Sequence, residues 1–417
     1  MSSLLVAWST WLALALFYAY QTIIKNIPNI IMDDIMGKYH VDANEIGHYA
    51  GIYYVGYVVM HIPLGIALDH FNAKKIIPIC IILAVLGFLP LAYIDNFAIT
   101  TYGRLLAGVG SSGAAVGAFT LLRLGFGEEK FPRMLGCMVT AGLLGSIFGM
   151  GPLSQLIAYL GFIETLNYII GFGILLAIFS YMAIPNTNTK SKSKFSFSVV
   201  INDFKYLFSN KIVLLISALG GLMIGPLEGF IDAWCNPYLK IVHHFTNEQA
   251  SKITQLAFIG MAAGLMVMGY IFEKTKSYYG IIIVSGIVML SCFVIMLSGF
   301  IESPIALKIL LFTIGFFCAY QVIVIAKLIA LVHVGHATFI SAITNMIMMS
   351  FGYFFHRVIG KVLQYVWDGK YNILGNPLYS SDNLYNALMV VPISLAIAVL
   401  GYSILVIFEK RTKKIVT

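Results

Sequence analysis

The sequence predicts an all-α polytopic membrane protein with twelve transmembrane helices arranged as two six-helix bundles. Three observations carry this. Of the 417 residues, 59% are hydrophobic and only 11% charged, against roughly 25% charged in typical soluble domains. Apolar runs of about 20 residues, each enough for a helix to cross a ~30 Å hydrocarbon core, recur along the whole length. A polar, basic, Ser- and Asn-rich stretch from Pro185 to Lys211 divides those runs into six and six. The runs are continuous rather than alternating with period two, which excludes a transmembrane β-barrel. Residues 1–184 are expected to form an N-terminal bundle and 185–210 a cytoplasmic linker with a short amphipathic helix on the membrane surface. Residues 211–417 then form a C-terminal bundle with a short basic tail.

The crossings are expected at 6–30, 46–68, 75–94, 97–124, 134–159, 164–184, 211–238, 251–272, 279–299, 304–329, 337–360 and 385–408. The first twenty residues lack a charged leader and a small-residue cleavage site, so they read as a crossing and not as a signal peptide. An even number of crossings puts both termini on one side. Loops on that side hold Lys74 and Lys75, then Arg123, Lys130 and Arg133, then Lys190, Lys192, Lys194, Lys205 and Lys211. Lys274, Lys276, Lys327 and the tail residues Lys410, Arg411, Lys413 and Lys414 follow. The opposite side holds Lys38, Lys240, Lys252, Lys361 and Lys370. The positive-inside bias therefore places both termini in the cytoplasm, in a cell (inner) membrane. It also explains the formal charge of +8 without a nucleic-acid partner. All four tryptophans (Trp8, Trp11, Trp234, Trp367) fall near expected helix ends, where an amphipathic ring prefers to sit. The five cysteines are scattered through apolar segments with no CxxC pair and read as small buried hydrophobes.

An ionisable residue in mid-membrane costs a few kcal/mol or more, so each is a functional candidate. The alternative is a structural pair, or a long side chain reaching back to the interface. On the first helix Tyr18, Gln21 and Lys25 share a face by their i, i+3, i+7 spacing. Pro28 follows, where a broken turn would free backbone carbonyls. On the second, Tyr53, Tyr54, Tyr57 and His61 make a polar aromatic stripe; Tyr53, Tyr57 and His61, four apart, form one face. The fourth carries Arg104, whose guanidinium cannot be neutralised and needs an anion, either a carboxylate neighbour or a substrate. Gly108, Gly110, Gly113 and Gly117 after it permit close helix contact.

The seventh helix is the most informative. "GPLEGFIDAWCNPYL" places Glu228 and Asp232 at i, i+4, between Gly225-Pro226 and Asn236-Pro237, so it is expected to bend. Two acids so placed are candidates to carry a proton across, with Glu228 favoured because Asp232 lies nearer the outer surface. Their other use is to neutralise Arg104 or Lys308. Trp234 joins the substrate-binding candidates, as do Tyr320 and Gln321 on the tenth helix and Asn345 on the eleventh. These uncharged polar groups suit hydrogen bonds to a polar solute or between helices. His356 and Arg357 lie further out on the eleventh. Counting Lys25, Arg104, Lys308 and Arg357 against Glu228 and Asp232 leaves a positive excess, which favours an anionic or zwitterionic solute over a cationic drug.

Several patches resemble the major facilitator superfamily. The loop "GIALDHFNAKK" between the second and third helices matches the family's G-x-L-A-D-R-x-G-R-K signature at Gly65, Asp69 and Lys74, with His70 and Ala73 where arginine is usual. "GRLLAGVGSSG" around Arg104 resembles the family's helix-four pattern. "GSIFGMGPLSQ" matches the helix-five pattern in part, with one extra residue before Pro152. A shift of 204 residues lays Gly65 on Gly269, Asp69 on Glu273 and Arg104 on Lys308, as parallel repeats would. "FYAYQTIIKNIPN" and "AWCNPYL" resemble a bacterial branch found in intracellular pathogens, which includes importers of amino acids and nucleosides. The resemblance implies a monomeric carrier. It also implies that Gly65, Asp69 and Lys74, with Glu273 in the second half, form a gating motif that holds the inner side shut.

These readings point to a secondary transporter in which two bundles rock about a central site and protons drive import of a small polar metabolite. A proton-coupled efflux antiporter and a non-transporting sensor are the alternatives. There is no HExxH, no paired metal-ligand histidines, no nucleophile motif and no phosphate loop. Neither an enzyme nor a bound metal or cofactor is expected, and the partners are the solute, protons and the bilayer.

Overall fold

A chain in hydrocarbon must bond its own backbone, so helix is forced wherever it crosses. The computed structural model describes residues 3–186, 210–301, 303–331, 337–372 and 375–416, and they are helical nearly throughout. Eleven stretches among them are long and apolar enough to cross a membrane. The 29-residue helix Ala337–Tyr365 is a further long one, made less apolar by Asn345, His356, Arg357 and Lys361. Apart from Pro185, Asn186 and Asn210, the expected linker and its amphipathic helix lie outside the described residues. So do the side chains of the basic tail and of Asp69. The chain divides into two compact units: Met1–Phe195 with Thr246–Lys252 and Tyr371–Asn376, and Ser196–Phe245 with Ile253–Lys370 and Pro377–Thr417.

In the first unit, α1 (Ser3–Ile30) is followed at once by α2 (Met32–Tyr39). Then come α3 (Ala43–His70), α4 (Ala73–Tyr93), α5 (Phe97–Phe148), α6 (Gly151–Leu160) and α7 (Phe162–Ala183). Short polar turns start these helices by capping their free amides. Asp42 and Glu45 form a reciprocal capping box on α3, and Asn72 and Asn96 cap α4 and α5. The fifth element packs on α1, α3 and α4 and is the core of the unit. A Cβ at Gly108 would strike the Tyr53 carbonyl, so glycine there lets α5 and α3 touch backbone to backbone. Two expectations need correction. The fourth and fifth crossings are not parted by a loop: the chain stays helical on both sides of a single kink at Gly127, whose φ of 75° and ψ of 169° suit glycine alone. The fifth crossing is itself broken between Phe148 and Gly151, where Pro152 stops the ladder and starts α6.

In the second unit, α8 (Lys211–Leu222) leads into a π-helical segment (Gly225–Trp234) and then α9 (Cys235–His243). Next are α10 (Asn247–Thr275), α11 (Tyr278–Leu297), α12 (Pro304–Cys318), α13 (Tyr320–Leu331), α14 (Ala337–Tyr365), α15 (Ser381–Leu388) and α16 (Val390–Val416). The seventh crossing is therefore three pieces and not one helix. Pro226 and Pro237 each lack the N–H an α-helical ladder requires. Between them the chain winds wider, with the Cys235 amide reaching back five residues to the Phe230 carbonyl. The Phe351 and Phe355 rings of α14 fill the space over Gly221, Gly225 and Gly229 and hold the wide segment against the unit. The tenth crossing likewise breaks at Ala319.

Candidate functional site

The site in the first unit grows from Pro28. Proline at that position cannot donate to the carbonyl of Ile24, four residues earlier, and so leaves it open. Arg104, buried on α5, fills the gap: Nη1 donates to the Ile24 carbonyl and Nη2 to the Lys25 carbonyl, both at 2.6 Å. Its guanidinium also lies over two rings of α3, Tyr53 at 4.8 Å and Tyr49 at 5.7 Å from the centroids. The groups facing Arg104 here are thus carbonyls and π faces. Its Nε is buried and has no acceptor among the described residues.

The same corner collects the polar candidates of α1 and α3. The Tyr53 hydroxyl donates to Gln21 Oε1 at 3.0 Å, and Tyr53 stacks on Tyr57 with centroids 6.2 Å apart. Tyr57 in turn meets the His61 ring at 4.5 Å. Lys25, half-buried, holds its ammonium 6.0 Å from the Tyr54 ring centroid. Tyr18 is half-buried, and a Cβ at Gly142 of α5 would strike its ring. Gln21, Tyr53, Tyr57 and Arg104 form one connected cluster, with Tyr18 and Lys25 at its margins.

In the second unit, Glu228 and Asp232 are both buried in the π-helical segment, 4% and 2% exposed. Trp234 ends that segment and is buried, its Nε1 without an acceptor among the described residues. This corrects its expected place at a helix end: α9 carries the helix nine residues further. The Tyr320 hydroxyl does not point to an empty space. It donates to the Gly220 carbonyl at 2.7 Å, at the end of α8 where the helix breaks. Gln321, beside it, keeps a buried Nε2 with no acceptor among the described residues. Asn345 on α14 is half-buried.

Lys308 is exposed on α12 whereas Arg104 is buried, so the offset that paired the two does not give them like surroundings. Of the gating motif, Lys74 sits 5.0 Å over the Tyr181 ring and Glu273 is exposed near the end of α10. Gly65 has Val116 3.9 Å from where its Cβ would be.

Several residues escaped the sequence reading. Tyr49 completes a 49, 53, 57, 61 period that was read only from Tyr53 onward. Buried Thr254 donates to Asn236 Oδ1 at 2.6 Å across α10 and α9, and no local pattern marks such a pair. Lys327, expected in a loop, is buried against Glu409 of α16 at 2.9 Å.

The model of the Major Facilitator Superfamily matches residues 10–355. No curated protein matches the chain. Among solved structures, a bacterial homolog of the human lysosomal transporter Spinster, inward-facing and unoccupied, superposes with a TM-score of 0.76 at 13% identity, covering 95% of this chain and 96% of that one. The nucleoside transporter NupG superposes with a TM-score of 0.74 at 14% identity, over 94% of this chain and 98% of that one. A D-xylose–proton symporter gives a TM-score of 0.72 at 11% identity, over 95% and 97%. At these identities the likeness is one of fold.

Proposed function

The chain belongs to the major facilitator superfamily, and from that premise we propose that it is a proton-coupled secondary transporter importing a small polar metabolite by alternating access. It is a multi-pass membrane transporter and not an enzyme. The solute is a polar metabolite: an anionic or zwitterionic one such as an organic acid or an amino acid, or a nucleoside. The observation that carries this reading is the burial of two carboxylates, Glu228 and Asp232, in one π-helical segment of a membrane span. Carboxylates in such surroundings mark proton or substrate paths, and irregular backbone at membrane depth is kept where it serves them.

The polarity of the solute is supported by buried donors. Arg104 Nε, Trp234 Nε1 and Gln321 Nε2 have no acceptor among the described residues. A buried donor left unmade costs about 1–3 kcal/mol, which an oxygen-bearing solute would recover. Tyr18, Gln21, Lys25, Tyr53, Tyr57 and Arg104 in one bundle, and Trp234, Gln321 and Asn345 in the other, are the contacts we assign to it, while the Tyr320 hydroxyl serves the Gly220 carbonyl. Glu228 carries the proton, with Asp232 and Arg104 as the other residues we assign to the coupling. Gly65, Asp69, Lys74 and Glu273 gate the inner side.

We further place residues 1–184 and 211–417 as the two bundles and 185–210 as their cytoplasmic linker. The protein acts as a monomer in the bilayer of an inner membrane with both termini in the cytoplasm. It belongs with the bacterial amino-acid and nucleoside importers of intracellular pathogens. The nucleoside transporter and the proton symporter among its structural relatives support that range of cargo and coupling. The test is uptake into proteoliposomes under an imposed pH gradient, preceded by a thermal-shift screen of amino acids, nucleosides and organic acids. Accumulation that ignores the gradient would remove the proton from the reading.

A further inference from the structure

The four-residue period of α3 sets Tyr49, Tyr53, Tyr57 and His61 on one face, spanning about 18 Å at ~1.5 Å per residue. One end of this stripe is Arg104, over Tyr49 and Tyr53. The other end is an imidazole, to which none of the roles above is given. His61 is 8% exposed. Its Nδ1 lies 2.8 Å from the Tyr57 carbonyl, an oxygen that can only accept, so the proton of that bond sits on Nδ1. In the neutral ring the other nitrogen, Nε2, then carries a lone pair and no hydrogen. Nε2 is buried and has no partner among the described residues. The Tyr57 ring, 4.5 Å away, fixes the plane of the imidazole, so this lone pair has one direction and no donor among the described residues in it.

We propose that His61 is a specificity-determining residue whose Nε2 accepts a hydrogen bond from an N–H or O–H group of the transported metabolite. The proposal rests on the transport reading above and deepens it. Arg104 Nε selects for an acceptor on the solute, and His61 Nε2, on the same face of α3, selects for a donor. A metabolite bearing both kinds of group satisfies the first bundle; a purely apolar compound satisfies neither. Tyr57 positions the imidazole, through its carbonyl and its ring, and is a positioning residue in this account.

Two measurements on the full-length protein test it. The first needs no known solute. Diethyl pyrocarbonate attacks an unprotonated imidazole nitrogen that water can reach. Mass spectrometry of the treated protein should find His61 modified more slowly than the exposed His40 and His244, as alternating access brings the buried ring into contact with water. Modification of His40 and His244 with His61 untouched would show Nε2 sealed off from any solute and overturn the proposal. The second measurement is uptake of radiolabelled uridine, L-threonine and L-malate, each supplied separately to proteoliposomes. For whichever is moved, His61→Phe keeps the ring volume and the stack and should raise KM about tenfold with kcat little changed. His61→Gln, which returns an acceptor, should recover most of that loss. An unchanged KM in His61→Phe, at wild-type thermal stability, would also overturn the proposal. If none of the three solutes moves and an extended panel also fails, it is the transport reading that falls, while the modification result still decides whether His61 faces a polar path.

Discussion

Arg104 donates to the carbonyl oxygen of Ile24 at 2.6 Å, and Ile24 is the residue whose carbonyl Pro28 cannot bond. A proline that interrupts one helix and an arginine on another thus make a single device. The proline opens the ladder, and the arginine closes it with a charge-assisted bond while anchoring the neighbouring Lys25 carbonyl. Charge-assisted bonds contribute about 1.5–3 kcal/mol each, so Arg104→Met should destabilise the purified protein by on the order of 3 kcal/mol, read as a lowered unfolding temperature in detergent. Pro28→Ala restores the missing N–H. In the Arg104→Met background it should therefore recover about 1 kcal/mol, while on its own it changes stability little. Additive effects of the two substitutions would contradict the coupling.

Glu228→Gln keeps the shape of the buried side chain and removes its ability to release a proton. Uptake driven by a pH gradient should vanish, whereas exchange of labelled for unlabelled solute at equal pH should persist. Asp232→Asn should weaken driven uptake less. Normal driven uptake by Glu228→Gln, with an unchanged pH profile, would move the proton to another group.

The helices were legible in the sequence because hydrocarbon imposes one solution on every crossing, and apolar runs near 20 residues reveal where it applies. Gln21, Tyr53 and Arg104 were legible too, since a polar group within such a run stands out against it. What stayed hidden was the partner of each group. Arg104 reads as needing an anion, and the structure gives it two carbonyls, that of Ile24 left open because Pro28 sits one turn further on. Tyr320 reads as a solute ligand, and its hydroxyl is engaged by the carbonyl of Gly220, a hundred residues away. Lys308 and Lys327 exchange places with respect to expectation: the first is exposed and the second buried. Hydropathy averages over a window and so does not say which face of a helix a single lysine occupies. The π-helical winding between Pro226 and Pro237 was foreseen as a bend, but its form depends on how the Phe355 ring packs, which no local pattern encodes.

Tyr320→Phe tests whether that hydroxyl serves the fold or the solute. Removing it leaves the buried Gly220 carbonyl with a weaker set of partners, at about 1–3 kcal/mol. The expected result is a lower unfolding temperature with KM within about twofold of wild type. Wild-type stability with a large rise in KM would instead make Tyr320 a direct solute contact.

The two donors without acceptors in the second unit give a complementary expectation. Gln321→Leu and Trp234→Phe each remove a buried N–H that has no protein partner among the described residues. Neither change breaks a hydrogen bond found among the described residues, so beyond the small cavity that Phe leaves at position 234 both should change thermal stability little. Solute affinity measured by thermal shift should fall about tenfold for each, the usual worth of one good polar contact. A loss of stability without a loss of affinity would mean that these groups are structural.

Lys327 and Glu409 pair at 2.9 Å where α13 and α16 meet, and the Tyr279 hydroxyl donates to the same carboxylate at 2.7 Å. The Lys327 ammonium also lies 4.6 Å from the Tyr279 ring centroid. Removing one member of a fully buried pair would cost about 3–5 kcal/mol. Here the Glu409 side chain is 35% exposed, so solvent screens part of the interaction and Lys327→Met should cost about 1–2 kcal/mol. Glu409→Gln should cost less, because its amide oxygen still accepts from Tyr279. The reversed pair, Lys327→Glu with Glu409→Lys, should recover part of the loss, though Tyr279 then faces a cation. Raising ionic strength from 0.1 to 1 M shortens the screening length from about 10 to about 3 Å. For a pair held at 2.9 Å and largely buried, the gap in unfolding temperature between wild type and Lys327→Met should therefore shrink by less than half. A gap that disappears at high salt would place the pair in bulk water and leave α16 held to its unit by apolar packing alone.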